Sequence, residues 1–383
     1  MKKVYLDNAA TTPVAPEVFE EMVPYLRDVF GNPSSQHSFG RQAKGVLETA
    51  RRKVANYLNA KPSEIVFTSG GTEADNMVFN IAANELNVER FITSEIEHHA
   101  VLHTAEHICS KRKVELQIVK LLPNGHVDLQ HLEKLLASSN KKTLVSLMHG
   151  NNEIGNLLPL KKVSELCRKH NAYFHSDTVQ TMAHYKFDLQ ALDVDFLTCS
   201  AHKFHGPKGI GFLYINSHVK AVPMIHGGSQ ERGLRGGTEN LYSIVGLAKA
   251  MELAYTNLEE HQIHVQGLKS YMKQELIANI PDVSFHGDTE SDENSLYTVL
   301  NVSLPATSKA AMLLFTLDLK GVACSGGSAC SSGSSKGSHV LEGIQADTSR
   351  PNVRFSFSRY NTKDDVDFAV NVLKEAYSKD LVH

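Results

Sequence analysis

Four short segments carry residues whose types and spacing suit chemistry. The run Ser200-Ala201-His202-Lys203-Phe204-His205-Gly206-Pro207-Lys208-Gly209 follows an apolar stretch, Phe196 to Cys199. Lys203 is thereby placed on a loop leaving a strand, where open α/β folds bind ligands. A lysine held beside polar and cationic groups can have its pKa lowered and form a Schiff base. A loop lysine can equally be plain solvated surface, and the segment alone leaves both readings open. His202 and His205 have HxxH spacing, but no third ligand stands at a usable distance, so no metal site is expected. In Thr68-Ser69-Gly70-Gly71-Thr72-Glu73 a strand end, a glycine turn and a helix start follow one another. Free amides and the helix dipole would make an anion cup there, with Thr72 adding a hydroxyl. A simple capped helix is the alternative.

Tyr173 to Gln180 ends another candidate strand in a carboxylate, Asp177. Such an Asp caps a helix, forms a turn, or meets a ligand. Beside a Schiff-base lysine it gains a specific use, which is to keep the pyridine nitrogen of pyridoxal 5'-phosphate (PLP) protonated and the ring an electron sink. Cys330 stands in Ser325 to Ser338, where eleven of fourteen residues are Ser or Gly. That composition does not pack into a core. It suits a nucleophile that reaches a substrate and swings outward better than a structural thiol, although a chance surface cysteine would look the same.

The elements that must position these residues follow from periodicity. Apolar runs at Ile65 to Phe67, Arg90 to Thr93, Leu116 to Val119, Thr143 to Met148, Tyr173 to His175 and Phe196 to Cys199 read as strands. Helical patterns lie between several of them, such as Leu129 to Leu136 and Val163 to Lys169. This alternation predicts an α/β fold with a mainly parallel sheet covered on both faces. Asn240 to Ile280 reads as one long helix or two. Beyond it come a strand ending near Phe285, another at Leu296 to Val302, a helix over Ser308 to Leu319, and a last helix capped by Thr362. The expected division is a large domain over 15–255 and a smaller α+β domain made of 1–14 and 256–383, the latter carrying the Cys330 loop.

Composition bounds the function. With 383 residues the chain holds two to three domains' worth of sequence at ~150 residues each. Lys plus Arg is 39 and Asp plus Glu is 42, a net charge of −3, and Lys111-Arg112-Lys113 is a short basic run of the kind usually solvated. Direct nucleic-acid binding is therefore not expected. No apolar run approaches the ~18 residues of a membrane span. The two lysines near the start precede no apolar region, so a signal peptide is not expected either. Five cysteines, an odd number without a C-x-x-C pair, argue for free thiols in a reducing, cytoplasmic setting.

The ordered motifs resemble the NifS/IscS group of cysteine desulfurases, within the class V aminotransferases of fold-type I PLP enzymes. The resemblance rests on YLDNAATTP at 5–13, GNPSS at 31–35, FTSGGTEADN at 67–76, EHHAVL at 97–102, NNEIG at 151–155 and SDTVQ at 176–180. It continues through SAHKFHGPKG, QERGLRGGTEN at 230–240, SGGSACSSGS at 325–334 and RFSFSRYNT at 354–362. It implies that Lys203 holds PLP, Asp177 faces its ring nitrogen, and Gln180 and Asn152 bond its phenolic oxygen. His98 would stack on the ring and relay protons. Gly71, Thr72, Ser200 and His202 would hold the phosphate, and Thr238 would reach the phosphate of the neighbouring subunit of a homodimer. Arg354 would grip the substrate carboxylate, and Cys330 would take sulfur from L-cysteine, leaving L-alanine and a persulfide. An iron–sulfur scaffold or a transfer-RNA thiolation pathway would accept that sulfur.

Cys324 has no counterpart in the pattern. It is either buried and inert or a resolving thiol for Cys330. The short stretch after the last helix puts the docking of an iron–sulfur scaffold in doubt. Rival readings are a class V transaminase, which has no use for Cys330, a selenocysteine lyase, or a non-catalytic sulfur-relay protein that kept the fold.

Overall fold

The computed structural model describes residues 2–307, 310–326 and 337–378. In chain order the elements are β1 (Val4–Tyr5), α1 (Pro16–Arg27), α2 (Ser38–Tyr57), β2 (Ile65–Thr68), α3 (Gly71–Asn84), β3 (Arg90–Thr93), α4 (His99–Lys111) and β4 (Glu115–Ile118). There follow α5 (Leu129–Ala137), β5 (Thr143–Ser146), α6 (Leu160–Lys169), β6 (Tyr173–Asp177), β7 (Phe196–Ser200) and β8 (Gly211–Ile215). The remainder comprises α7 (Leu241–Thr256), α8 (Leu258–Asn279), β9 (Ser284–His286), β10 (Val299–Ser303), α9 (Leu313–Leu319), β11 (Val322–Ala323), α10 (His339–Gly343), β12 (Asn352–Ser356) and α11 (Lys363–Ser378).

β2, β3, β5, β7 and β8 are buried at every residue, which is why they read as continuous apolar runs rather than alternating ones. They belong to a seven-stranded sheet of order β2-β8-β7-β6-β5-β3-β4. β8 runs antiparallel to both neighbours, and the other pairings are parallel. The six remaining strands therefore point one way, and their carboxyl ends share one edge. Gly211 opens β8 where the backbones are closest, since a Cβ there would stand 2.1 Å from the Cys199 carbonyl oxygen. The sheet is covered on both faces. α2 buries Ala43, Leu47, Ala50 and Val54 against one, and α3 buries Ala74, Met77, Val78 and Ile81 against the other.

The long stretch after Asn240 is two helices, α7 and α8, which part at Asn257. A separate apolar cluster joins Val4 and Leu6 to Met272, Leu300, Val302, Phe355, Val370 and Leu373. Its sheet is antiparallel, β12-β10-β9, and β1 pairs in parallel with β11. Thr362 caps α11 as the spacing predicts. Its hydroxyl accepts from the Asp365 amide at 3.3 Å, and the Asp365 carboxylate accepts from the Thr362 amide at 3.0 Å. Residues 308 and 309 of the expected Ser308 to Leu319 helix lie outside the described residues, and the part seen is a 3-10 turn at Ala310–Met312 continued by α9. Among the described residues no helix is long and apolar enough to cross a membrane.

Candidate active site

The carboxyl edge of the large sheet opens into a cavity of about 580 Å³. Ten of the twelve residues singled out from the sequence line it, namely Gly71, Thr72, His98, Asn152, Asp177, Gln180, Ser200, His202, Lys203 and Arg354. They reach it from several elements: Gly71 and Thr72 from the start of α3, Asp177 and Gln180 from the end of β6 and just beyond it, Ser200, His202 and Lys203 from β7 and the turn that follows it, and Arg354 from β12. Thr238 is exposed and is not among the residues lining this chain's cavity. Cys330 lies outside the described residues.

Gly70 occupies φ +152°, ψ −172°, a conformation open essentially to glycine alone, and this turn starts α3 at Gly71. Gly71 packs so closely that a Cβ would meet Val179 at 2.7 Å. The first amides of α3 and the Ser200 side chain consequently crowd one corner of the cavity.

Asp177 ends β6 with its Oδ1 accepting from the Val179 amide at 2.9 Å. Burial, reinforced by the Asp75 carboxyl, pushes Asp177 up to about 7, and burial pushes Asp75 to about 7 as well. Between them stands His175, bonded to Ser146 Oγ at 2.8 Å and Thr198 Oγ1 at 3.0 Å, with its Nε2 3.5 Å from Asp75 Oδ1. Burial holds His175 at about 4.

Lys203 leaves β7 through a 3-10 turn, Ala201–Lys203. Its Nζ donates to the carbonyls of Ala9 at 2.6 Å and Ala10 at 2.9 Å, and Gln180 Nε2 shares the Ala9 carbonyl at 2.9 Å. The N-terminal segment thus straps the lysine loop. Thr11 Oγ1 meets His202 Nδ1 at 3.0 Å, and Thr12 bonds the His202 carbonyl and the His205 amide.

His98 caps α4. Its Nδ1 accepts from the Ala100 amide at 3.1 Å, so the neutral ring carries its proton on Nε2. Burial, with Lys203 and then the neighbouring imidazoles adding to it, pushes His98 down to about 4. In this geometry the ring is a donor toward the cavity. Taking up a proton would require giving up the cap bond, which differs from the relay role expected of it.

Arg354 sits centrally on β12 at 1% exposure. Nη1 donates to the Asn152 carbonyl at 2.9 Å and Nη2 to Asp7 Oδ1 at 2.8 Å. Its Nε is buried with no hydrogen-bond partner among the described residues. Glu153, fully buried, offers the cavity a carboxyl whose Oε2 accepts from Ser338 Oγ while Oε1 has no partner among the described residues. Cys324 packs against the smaller core, and burial followed by the Asp7 charge pushes its thiol up to about 12. That favours the inert reading, because the thiolate is the reactive form.

The sequence profile of the aminotransferase class-V family matches residues 4–368. The chain belongs to the aminotransferase class-V family. Among class-V relatives, the cysteine desulfurase IscS of Dictyoglomus turgidum is 42% identical over 382 residues, covering 99% of this chain and 95% of its own. The cysteine desulfurase IscS of Methanosarcina thermophila is 41% identical over 383 residues, 99% of this chain and 93% of its own. A solved structure of a NifS-like protein superposes with a TM-score of 0.90 at 38% identity, covering 98% of this chain and all of that one. A structure of SspA in complex with cysteine superposes with a TM-score of 0.79 at 34% identity, covering 94% and 100% of the two chains. These likenesses confirm the α/β, fold-type I expectation.

Two residues of this class-V cavity, Asp75 and Glu153, and the Arg354 partner Asp7 were not singled out from the sequence. Asp75, Glu153 and Asp7 are acids inside quoted motifs, TEADN, NNEIG and LDN. Their positions in those motifs were the available signal. What the spacing conceals is that residues 9 to 12 fold back across about 190 positions of chain onto the lysine loop.

Proposed function

We propose that this chain is a PLP-dependent cysteine desulfurase that moves sulfur from L-cysteine to Cys330 and releases L-alanine. The observation that carries the reading is the convergence of Lys203, Asp177 and Arg354 on one cavity of the right chemistry, in a chain alike end to end to named cysteine desulfurases. The donor set fits PLP. A glycine-walled corner at the start of α3, with Thr72, Ser200 and His202, suits a phosphate. Asp177, buried and held near neutrality by its surroundings, suits a protonated ring nitrogen, which would return it to the ionised form. Gln180 and Asn152 line the same cavity, and His98 presents a flat neutral ring.

When bound, PLP supplies an electron sink that makes the Cα–H of an amino acid acidic. The chain's own residues do the rest. Arg354 takes the α-carboxylate on its Nε and Nη2 side as a planar fork. Lys203 Nζ carries the proton leaving Cα. Cys330, as thiolate, attacks the substrate sulfur. The new S–S bond forms as the substrate's C–S bond breaks, its electron pair stays with the three-carbon skeleton, Cβ takes up one proton, and Lys203 returns to Cα the proton it carried, completing L-alanine. No external oxidant is needed. The Nε2–H of His98 offers a hydrogen bond toward the substrate and is not the source of the Cβ proton, since losing it from a neutral ring capped at Nδ1 would leave an imidazolate.

A homodimer is part of the proposal, supported by Thr238 being exposed and by the exposed, stacked rings of Phe30 and Phe39 at 5.5 Å. An iron–sulfur scaffold or a transfer-RNA thiolation protein is the proposed acceptor, and the cytoplasm the proposed setting. Cys330→Ser is expected to keep the cofactor's visible colour and form no persulfide. Sulfide release at the parent rate from that variant would sink the proposal.

A further inference from the structure

Arg354 is already paired with one carboxyl group before any substrate arrives. Asp7 is ion-paired to Nη2 at 2.8 Å, while burial raises the Glu153 carboxyl, opposed by its Ser338 hydrogen bond and then by the His339 and Arg354 charges. With Nη1 taken by the Asn152 carbonyl, the fork left for a carboxylate is Nε–H and the second proton of Nη2. A carboxylate bound there shares Nη2 with Asp7. Two anions then face one cation in a largely buried site, where their repulsion is only partly screened.

The backbone allows Asp7 little retreat. Its carbonyl accepts from the Ala10 amide at 3.0 Å and the Tyr5 hydroxyl at 3.1 Å, and the residue bridges to Ser356 at the end of β12. Without Asp7, a buried arginine would lack a counter-ion in the empty site, a costly arrangement. With it, the fork is neutralised but its grip on a carboxylate is weakened.

We propose that Asp7 sets carboxylate affinity. It braces Arg354 through one hydrogen bond while its charge opposes the incoming carboxylate, so that an amino-acid product bearing the same group is released. This rests on the reading of Arg354 as the carboxylate fork. The test uses the PLP-loaded enzyme and calorimetric binding of 3-mercaptopropionate, which has the substrate's carboxylate and sulfur but no amine. Asp7→Asn keeps an acceptor for Nη2 and removes the charge. It is expected to bind about fivefold tighter, a small part of the Coulomb repulsion between neighbouring charges, and to be inhibited by L-alanine more strongly by a similar factor. Asp7→Ser is expected to shift the same way, which keeps the question answerable should one variant fail to accumulate. Arg354→Gln is expected to lose binding at least about tenfold. If charge-removing variants bind equally or more weakly while Arg354→Gln loses binding, Asp7 is a brace alone. If Arg354→Gln binds like the parent, the fork itself is misassigned.

Discussion

Asp177 is the residue at which stability and function pull apart. Ordinarily a carboxyl near 3.8, it is pushed up to about 7 by burial and by Asp75. A carboxyl whose folded pKa exceeds its unfolded one contributes stability at low pH and loses it as pH rises through the folded value. At pH 8 the cofactor-free protein therefore holds an unfavourable buried charge. Asp177→Asn is expected to raise the thermal midpoint of the cofactor-free protein at pH 8 by a few degrees, while lowering desulfurase turnover about a hundredfold or more for want of an anion at the ring nitrogen. A lower midpoint with activity intact would reverse the assignment. Lys203, Asp177 and Arg354 were legible from type and motif. Asp7 was not, because its place in a motif gives it no role until its partner 347 residues away is in place.

Gly70 shows how an element depends on one backbone angle. Its φ of +152° lies where side chains rarely go, yet a Cβ there would find only Ser200 Oγ, at 3.5 Å. Gly70→Ala should therefore suffer from strain rather than collision, by about 1–3 kcal/mol. Because that turn aims the first amides of α3, the variant is expected to lose PLP on dialysis more readily than the parent, in addition to melting earlier. Unchanged retention would separate the glycine from the phosphate corner. The neighbouring 230–240 segment is fixed differently. The buried Glu231 carboxylate takes both terminal guanidinium nitrogens of Arg51, at 2.7 and 3.0 Å, and the Phe67 amide at 2.9 Å. The parallel strands were readable because burial on both faces leaves uninterrupted apolar runs. β8 looks the same for the same reason, and its antiparallel direction is set by a short connection that apolar periodicity does not encode. The break between α7 and α8 at Asn257 is likewise invisible to a pattern that stays helical on both sides.

At the scale of the whole molecule, buried imidazoles dominate the response to acid. Burial holds His98, His175, His184 and His202 at about 4, and His149 and His205 at about 3. Unfolded, each takes a proton below about 6.5. The unfolded chain then binds the extra protons between about pH 4 and 6.5, so through these groups stability rises with pH across that window. Asp75, Asp177, Glu97 and Glu153, all pushed up by burial, oppose the trend, since their protons are held by the folded chain. Six histidines outweigh four acids. The thermal midpoint of the cofactor-free protein is expected to fall as pH is lowered from 6.5 to 4.5, and a rising midpoint would mean the acids prevail. Composition and motif order made the overall architecture legible, whereas the N-terminal strap over the lysine loop depends on tertiary contacts that no local pattern records. The central claim remains the movement of one sulfur atom. Purified protein is incubated with L-cysteine without reductant, and L-alanine is measured together with the mass of the peptide containing Cys330. The account predicts alanine in solution and a single added sulfur on that peptide. Alanine with no sulfur on Cys330, or neither product from PLP-loaded protein, would contradict it.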